Sequence, residues 1–262
     1  MRANLDALFE ASAALISAVE LTDSVVATCL IELLSSIARF DHVVIFAYFG
    51  EKAPIHLHST FDAAEYDVFV TQYVAGPYLL DPFYRNTLKG GEGVWRMREL
   101  APDRFFSSEY YRSYYSKTAL AEEIGFFVPL DKEAEVVISV MRKLATGMFS
   151  PVEFSQVRKA APVISAVATR FWSNIAARFE PDPLIHSDKT KIDQVWSRVQ
   201  STFKLTVREA AIIDLVLQGH SSESIGLRLN ISTGTVKVHR RNIYRKLGIS
   251  SQTQLFSMFF ST

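Results

Sequence analysis

The sequence predicts an α+β domain over residues 1–180 and an all-α domain over residues 201–262, joined by a linker and short helix at 181–200. Three observations carry this division. Helix-period and strand-period stretches alternate through the first 180 residues, whereas beyond 200 every apolar run has helical spacing. A polar, proline-bearing stretch from Glu180-Pro-Asp-Pro183 to about Lys191 lies between them and reads as a linker. Charge divides at the same place: the 262-residue chain has zero formal net charge, but residues 201–262 hold eight Lys and Arg against three Asp and Glu, and the rest holds 20 against 25. A chain with 48% hydrophobic residues is long enough for two cores.

The first element is helical. Leu5, Leu8, Phe9, Leu15, Ile16 and Val19, then Val25, Val26, Leu30, Leu33, Leu34 and Ile37, keep a helical period that breaks near Thr22-Asp23, so two helices open the domain. His42 to Phe49 is β-branched and aromatic, Gly50-Glu-Lys is a turn, and Ile55 to Ser59 alternates, which predicts a hairpin. A second hairpin is predicted at Glu123–Leu130 and Glu135–Arg142, joined by the charged turn Asp131-Lys-Glu. Ser150-Pro-Val-Glu153 is a capping box opening a long helix through Val157, Ile164, Phe171, Trp172 and Ile175, with a kink expected at Pro162. Helices flanking an antiparallel sheet, with an elaborated segment between hairpins, is the layout of small-molecule sensor domains of the PAS or GAF sort.

Beyond the linker, Ile192, Val195, Trp196 and Val199 mark a short amphipathic helix. Thr206-Val-Arg-Glu209 is a capping box, Ile212, Ile213, Leu215, Val216 and Leu217 supply an apolar face, and Gly219 ends the run. Ile225, Leu227 and Leu229 give a second, short helix, and Asn230-Ile231 is a tight link to Ser232, the expected N-cap of a third that stops at Gly248. In this third helix Val236, Ile243 and Leu247 share one stripe, whereas Lys237, Val238, Arg241 and Arg245 fall on the opposite face. A short helix turning sharply into one with a basic outer face is a helix-turn-helix unit, and that face fits the major groove of DNA. His239 lies toward the packed stripe and reads as structural. Ser250 or Ser251 caps a fourth segment whose Leu255, Phe256, Met258, Phe259 and Phe260 need a partner or the rest of the chain to cover them.

Leu205-Thr-Val-Arg-Glu209, Gln218-Gly219, Ile231-Ser232, Thr235-Val-Lys-Val-His239 and Ile243-Tyr-Arg-Lys-Leu-Gly248 resemble the DNA-binding domain of LuxR-type transcription regulators, over roughly residues 203–260. The resemblance implies that Lys237, Val238 and Arg241 face bases, and the helical period independently exposes the same three. It makes Thr233, Thr235, Arg240, Arg245 and Lys246 candidates for phosphate contacts, which position the protein without reading sequence. The chain departs from the family at Ser222-Glu-Ser-Ile-Gly226, where Asn-Lys-Glu-Ile-Ala is usual, so one backbone contact from a lysine is expected to be lost.

Residues 61–115 hold 14 of the chain's 32 aromatics, about twice the average density. Within this insertion Phe69, Tyr73, Asp81-Pro82 and Trp95 resemble the ligand-contacting row of the autoinducer-binding domain of quorum-sensing LuxR regulators. That family has a tryptophan four residues before the tyrosine, donating its indole N–H to the lactone of an acyl-homoserine lactone; Phe69 has no donor, and the spacing from Tyr73 to Asp81 is one residue short. An unmatched buried carbonyl costs about 1 to 3 kcal/mol. A different small molecule is therefore expected, with Asp81 accepting a hydrogen bond from an amide or pairing with an amine. The competing structural reading makes the aromatics core and Asp81-Pro82 a helix-opening turn.

Enzymatic readings find little support. The chain has no Gly-x-Ser-x-Gly, no His-Glu-x-x-His and no phosphate-binding glycine loop, and its six histidines lack metal-ligand spacing, so neither catalytic residues, metal nor cofactor is expected. Gly90-Gly-Glu-Gly93 reads as a loop. A receiver domain would begin with a strand and acidic residues rather than two helices. The single cysteine, Cys29, has apolar neighbours and reads as a buried thiol. No apolar run approaches a membrane span, and Asp6 and Glu10 interrupt any signal peptide, so a cytoplasmic location is expected.

Two readings of the whole follow. The first is a non-enzymatic transcription regulator that binds duplex DNA under control of a small-molecule effector, its expected partners being double-stranded DNA, that effector, a second copy of the chain and RNA polymerase, with no membrane. The other is an adaptor that docks a protein through the N-terminal aromatic surface and tethers it to DNA without a ligand.

Overall fold

Val43 to Tyr48 are buried without interruption, which requires β1 (His42–Phe49) to be covered on both faces. In the computed structural model, which describes residues 4–17, 22–130, 134–179 and 199–260, β1 is the second strand of a five-stranded antiparallel sheet of order β2-β1-β5-β4-β3. The other strands are β2 (Ile55–Ser59), β3 (Gly93–Arg96), β4 (Leu120–Pro129) and β5 (Ala134–Lys143). Both predicted hairpins are present. The charged turn 131–133 lies outside the described residues.

The described residues divide into two compact units, one drawn from Met1–Thr71, Phe83–Leu100 and Ala119–Glu180, the other from Gln72–Pro82, Ala101–Thr118 and Pro181–Thr262. The first is the α+β architecture expected of the N-terminal region. The two opening helices are α1 (Leu5–Ser17) and α2 (Asp23–Ile37), Thr22 capping α2 by accepting from Val25 N–H, with residues 18–21 outside the described ones. The chain then passes through α3 (Ala63–Tyr66), α4 (Pro82–Thr87) and α5 (Met97–Leu100), and after β5 through α7 (Pro151–Lys159) and α8 (Ala161–Phe171). Side chains of α1, α2, α7 and α8 pack with Val43, Ile45, Ala47, Ile124, Phe126, Val136, Ile138 and Val140 of the sheet. Alternation sends the neighbouring strand residues, Phe46, Tyr48, Phe127 and Val137, to the opposite face, where Phe83 meets Phe127 and Tyr84 meets Tyr48.

Two details differ from expectation. Pro162 does not kink one long helix; the chain breaks at Ala160 and restarts as α8 with the proline in its first turn, where a missing N–H costs nothing. The loop ascribed to Gly90–Gly93 ends in an edge strand, β3, too short for its alternation to be legible. The linker and most of the helix expected at 192–199 lie outside the described residues, of which 199–202 are helical.

The second unit holds α6 (Glu109–Ser113) and the expected all-α segment: α9 (Val207–Gln218), α10 (Ser222–Leu229), α11 (Thr233–Leu247) and α12 (Gln252–Phe260). No helix among the described residues is long and apolar enough to cross a membrane.

Candidate nucleic-acid interface and effector residues

The helix boundaries follow from their caps. Thr206 and Glu209 form the reciprocal capping box of α9, Ser221 caps α10, and Ser232 caps α11 by accepting from Thr235 N–H at 3.0 Å. Gly219, Asn230 and Gly248 close the three helices with φ of 98°, 52° and 67°, the left-handed conformation that ends helices. Gly219 has a second reason to be glycine: a Cβ there would lie 2.9 Å from that of Ser108. The same corner is tied to the segment 101–118 within this unit, Arg104 N–H donating to the Gly219 carbonyl and Ser221 N–H to Asp103 Oδ1, both at 3.1 Å. Gly226, where the family resemblance implies alanine, runs against the turn; a Cβ would come 2.7 Å from the Ile231 carbonyl oxygen.

The packed stripe of α11 is as expected, with Val236, Ile243 and Leu247 buried. Lys237 and Arg241 are exposed, and Val238 is 45% exposed. These three side chains form an outward face with two cations one turn apart, the chemistry that reaches guanine O6 and N7. Thr233, Thr235, Arg245 and Lys246 are also exposed. Two cations have internal partners that the sequence does not announce. Lys246 Nζ donates to buried Glu209 Oε2 at 2.7 Å, and Arg240 reaches Ser222 Oγ, the Tyr244 hydroxyl and Gln252 Oε1 at 3.3 to 3.4 Å. Arg208 Nη2 donates to the Leu229 carbonyl at the end of α10. These contacts tie α10 and α11 to α9 and α12 to α11, so the outward face is presented by a braced helix.

The four residues expected to line an effector site fall in both units. In the second, Tyr73 donates its hydroxyl to Asp81 Oδ2 at 2.6 Å, both residues being buried. Tyr73 also packs its ring near Tyr78 and Tyr114. In the first, Phe69 is buried and stacks on Phe61 at 4.4 Å, while Trp95 is half-exposed and donates its indole N–H to the Glu92 carbonyl. No group of three or more potential metal ligands occurs among the described residues.

Residues 204–259 match the family described as bacterial regulatory proteins, luxR family. The C-terminal segment is a LuxR-family domain. A protein of Aeromonas salmonicida named as an HTH-type transcriptional regulator in the exeN 3′ region is 28% identical over 185 residues, 69% of this chain and 93% of that protein. The HTH-type transcriptional regulator YhjB of Escherichia coli (strain K12) is 43% identical over 54 residues, 21% of this chain and 27% of its own length. Among solved structures, the VqsR LBD domain from Pseudomonas aeruginosa superposes with a TM-score of 0.51 at 21% identity, covering 68% of this chain and 98% of that one. That likeness establishes the fold of the N-terminal region. The relatives are named as transcriptional regulators, not enzymes.

Of the two covers expected for the apolar face of α12, a partner or the rest of the chain, the structure shows the chain itself. Leu255, Phe256 and Phe259 are buried in this chain, with α12 against α9 and α6. The sequence showed an apolar face but not which surface covers it.

Proposed function

We propose that the chain is a cytoplasmic regulator whose LuxR-family domain reads a specific duplex sequence with Lys237, Val238 and Arg241, under control of a small molecule bound by its N-terminal region. The observation that carries this reading is the exposed face of α11, with Lys237 and Arg241 outward and Val236, Ile243 and Leu247 packed beneath. Thr233, Thr235, Arg240, Arg245 and Lys246 would serve the phosphates, Arg240 and Lys246 keeping their internal partners as braces. Two copies would read two half-sites, gaining affinity by linkage. With α12 covered, the surface assigned to dimerisation is that of α7 and α8, where Val152 and Val163 are exposed.

Effector control rests on the buried Tyr73–Asp81 pair, since a carboxylate fixed in an aromatic setting is how apolar sites gain polar specificity. The effector would differ from a standard acyl-homoserine lactone, because Phe69 has no hydrogen-bond donor where the resemblance implies a tryptophan. The test is selection of duplexes by the full-length protein, repeated with cell-extract fractions. Enrichment of one sequence whose binding an extract fraction alters supports the reading; enrichment that no fraction alters leaves the regulator without an effector, and no enrichment removes sequence-specific binding.

A further inference from the structure

Glu135 is the second residue of β5, in register with Tyr48 of β1 and Pro129 of β4. Its neighbours Val136, Ile138 and Val140 face the helices, so alternation puts Glu135 with Val137 on the opposite face of the sheet. It is only 4% exposed, and its Oε1 has no hydrogen-bond partner among the described residues. Burial pushes its pKa up to about 8. Such a group lowers stability, and an unsatisfied buried group in a native protein calls for a reason.

The surroundings suggest one. Tyr48, across the register from Glu135, lies 5.8 Å from Tyr84 and 6.2 Å from Phe46 between ring centroids. His56 sits in register with Phe46, its ring 5.7 Å away, and its Nε2 is a second buried atom without a hydrogen-bond partner among the described residues. Burial lowers the His56 pKa, so that imidazole is neutral and brings no compensating charge. An aromatic row with a buried acid favours a cation on two counts: the ring faces attract it and the carboxylate neutralises it. A hydroxyl would supply only a hydrogen bond.

We propose that Glu135 anchors the protonated amine of a small, largely apolar effector lying along the Phe46, Tyr48 and Tyr84 rings. It names a ligand class for residues of the first unit and goes beyond the effector-control reading, which was built on the Tyr73–Asp81 pair. On binding an alkylammonium ion, Glu135 gives its proton to solvent and forms the ion pair; no bond within the ligand changes.

The experiment compares full-length wild type with Glu135→Gln, using octylamine and octanol as probes of equal chain length. Wild type should be stabilised by octylamine more than by octanol, and calorimetry in two buffers at neutral pH should show release of close to one proton. Glu135→Gln should bind octylamine at least tenfold more weakly, release no proton, and melt above wild type when ligand-free, since the orphan acid is gone. Equal octylamine binding by the two proteins, no octylamine binding by wild type, or a lower melting temperature for ligand-free Glu135→Gln would overturn the assignment. If octanol or a lactone stabilises both proteins alike and octylamine neither, effector binding survives and only the amine anchor fails.

Discussion

Lys246 and Glu209 join the last turn of α11 to the first turn of α9 through a 2.7 Å ion pair, and the same Glu209 carboxylate also receives Thr206 N–H at 2.9 Å. Burial alone would raise the Glu209 pKa, but the hydrogen bonds from Lys246 and Thr206 outweigh it and hold the carboxyl below its ordinary value. A depressed carboxyl pKa contributes stability above the unfolded value that is lost as pH falls through the folded one. Lys246→Ala should therefore cost about 1 to 3 kcal/mol by leaving Glu209 without its cation. The loss should narrow on acidification. Hydrogen exchange of α9 and α11 amides at neutral and acid pH measures it.

Removing the Tyr73 hydroxyl takes a hydrogen bond from a buried carboxylate. Tyr73→Phe should cost about 1 to 3 kcal/mol in urea denaturation, and Asp81→Ala should abolish any effector-induced thermal shift. DNA binding to a selected duplex without effector should persist in both. Retention of the full thermal shift by Asp81→Ala would remove Asp81 from the effector site.

Arg142 and Glu153 give the first unit an acid limit. The Arg142 hydrogen bond, reinforced by Ser150, brings the Glu153 pKa down to about 2. Stability from this pair should be complete above the unfolded value of 4.5 and drain away as pH falls toward 2. After allowance for solvent screening it amounts to about 1 to 2 kcal/mol. Glu153→Gln keeps a side chain that can complete the cap at Ser150, so its melting temperature should be lower at pH 7 and converge with wild type near pH 2.

Much of the fold was legible because its signals are local. Thr206 with Glu209, Ser232 and Gly248 announce helix ends from a few neighbouring residues, and the outward set Lys237, Val238 and Arg241 follows from helical period alone. What was missed depends on distant partners. Nothing near Lys246 in sequence points to Glu209, and nothing near Arg240 points to Gln252. Glu135 reads as the polar start of a strand until the sheet places it beside Tyr48. Trp95 matched a ligand row by spacing, yet in the structure its indole N–H is engaged by Glu92, three residues away, at the end of an edge strand too short to leave a pattern.

The central claim is that α11 reads DNA through its outward face, and the most direct measurement is the affinity of wild type and Arg241→Ala for a selected duplex and a scrambled control across a salt series. Wild type should prefer the selected duplex and weaken as salt rises. Arg241→Ala should lose about 1 to 3 kcal/mol on the selected duplex and much of the preference over the control. Unchanged affinity and selectivity in Arg241→Ala would contradict the account.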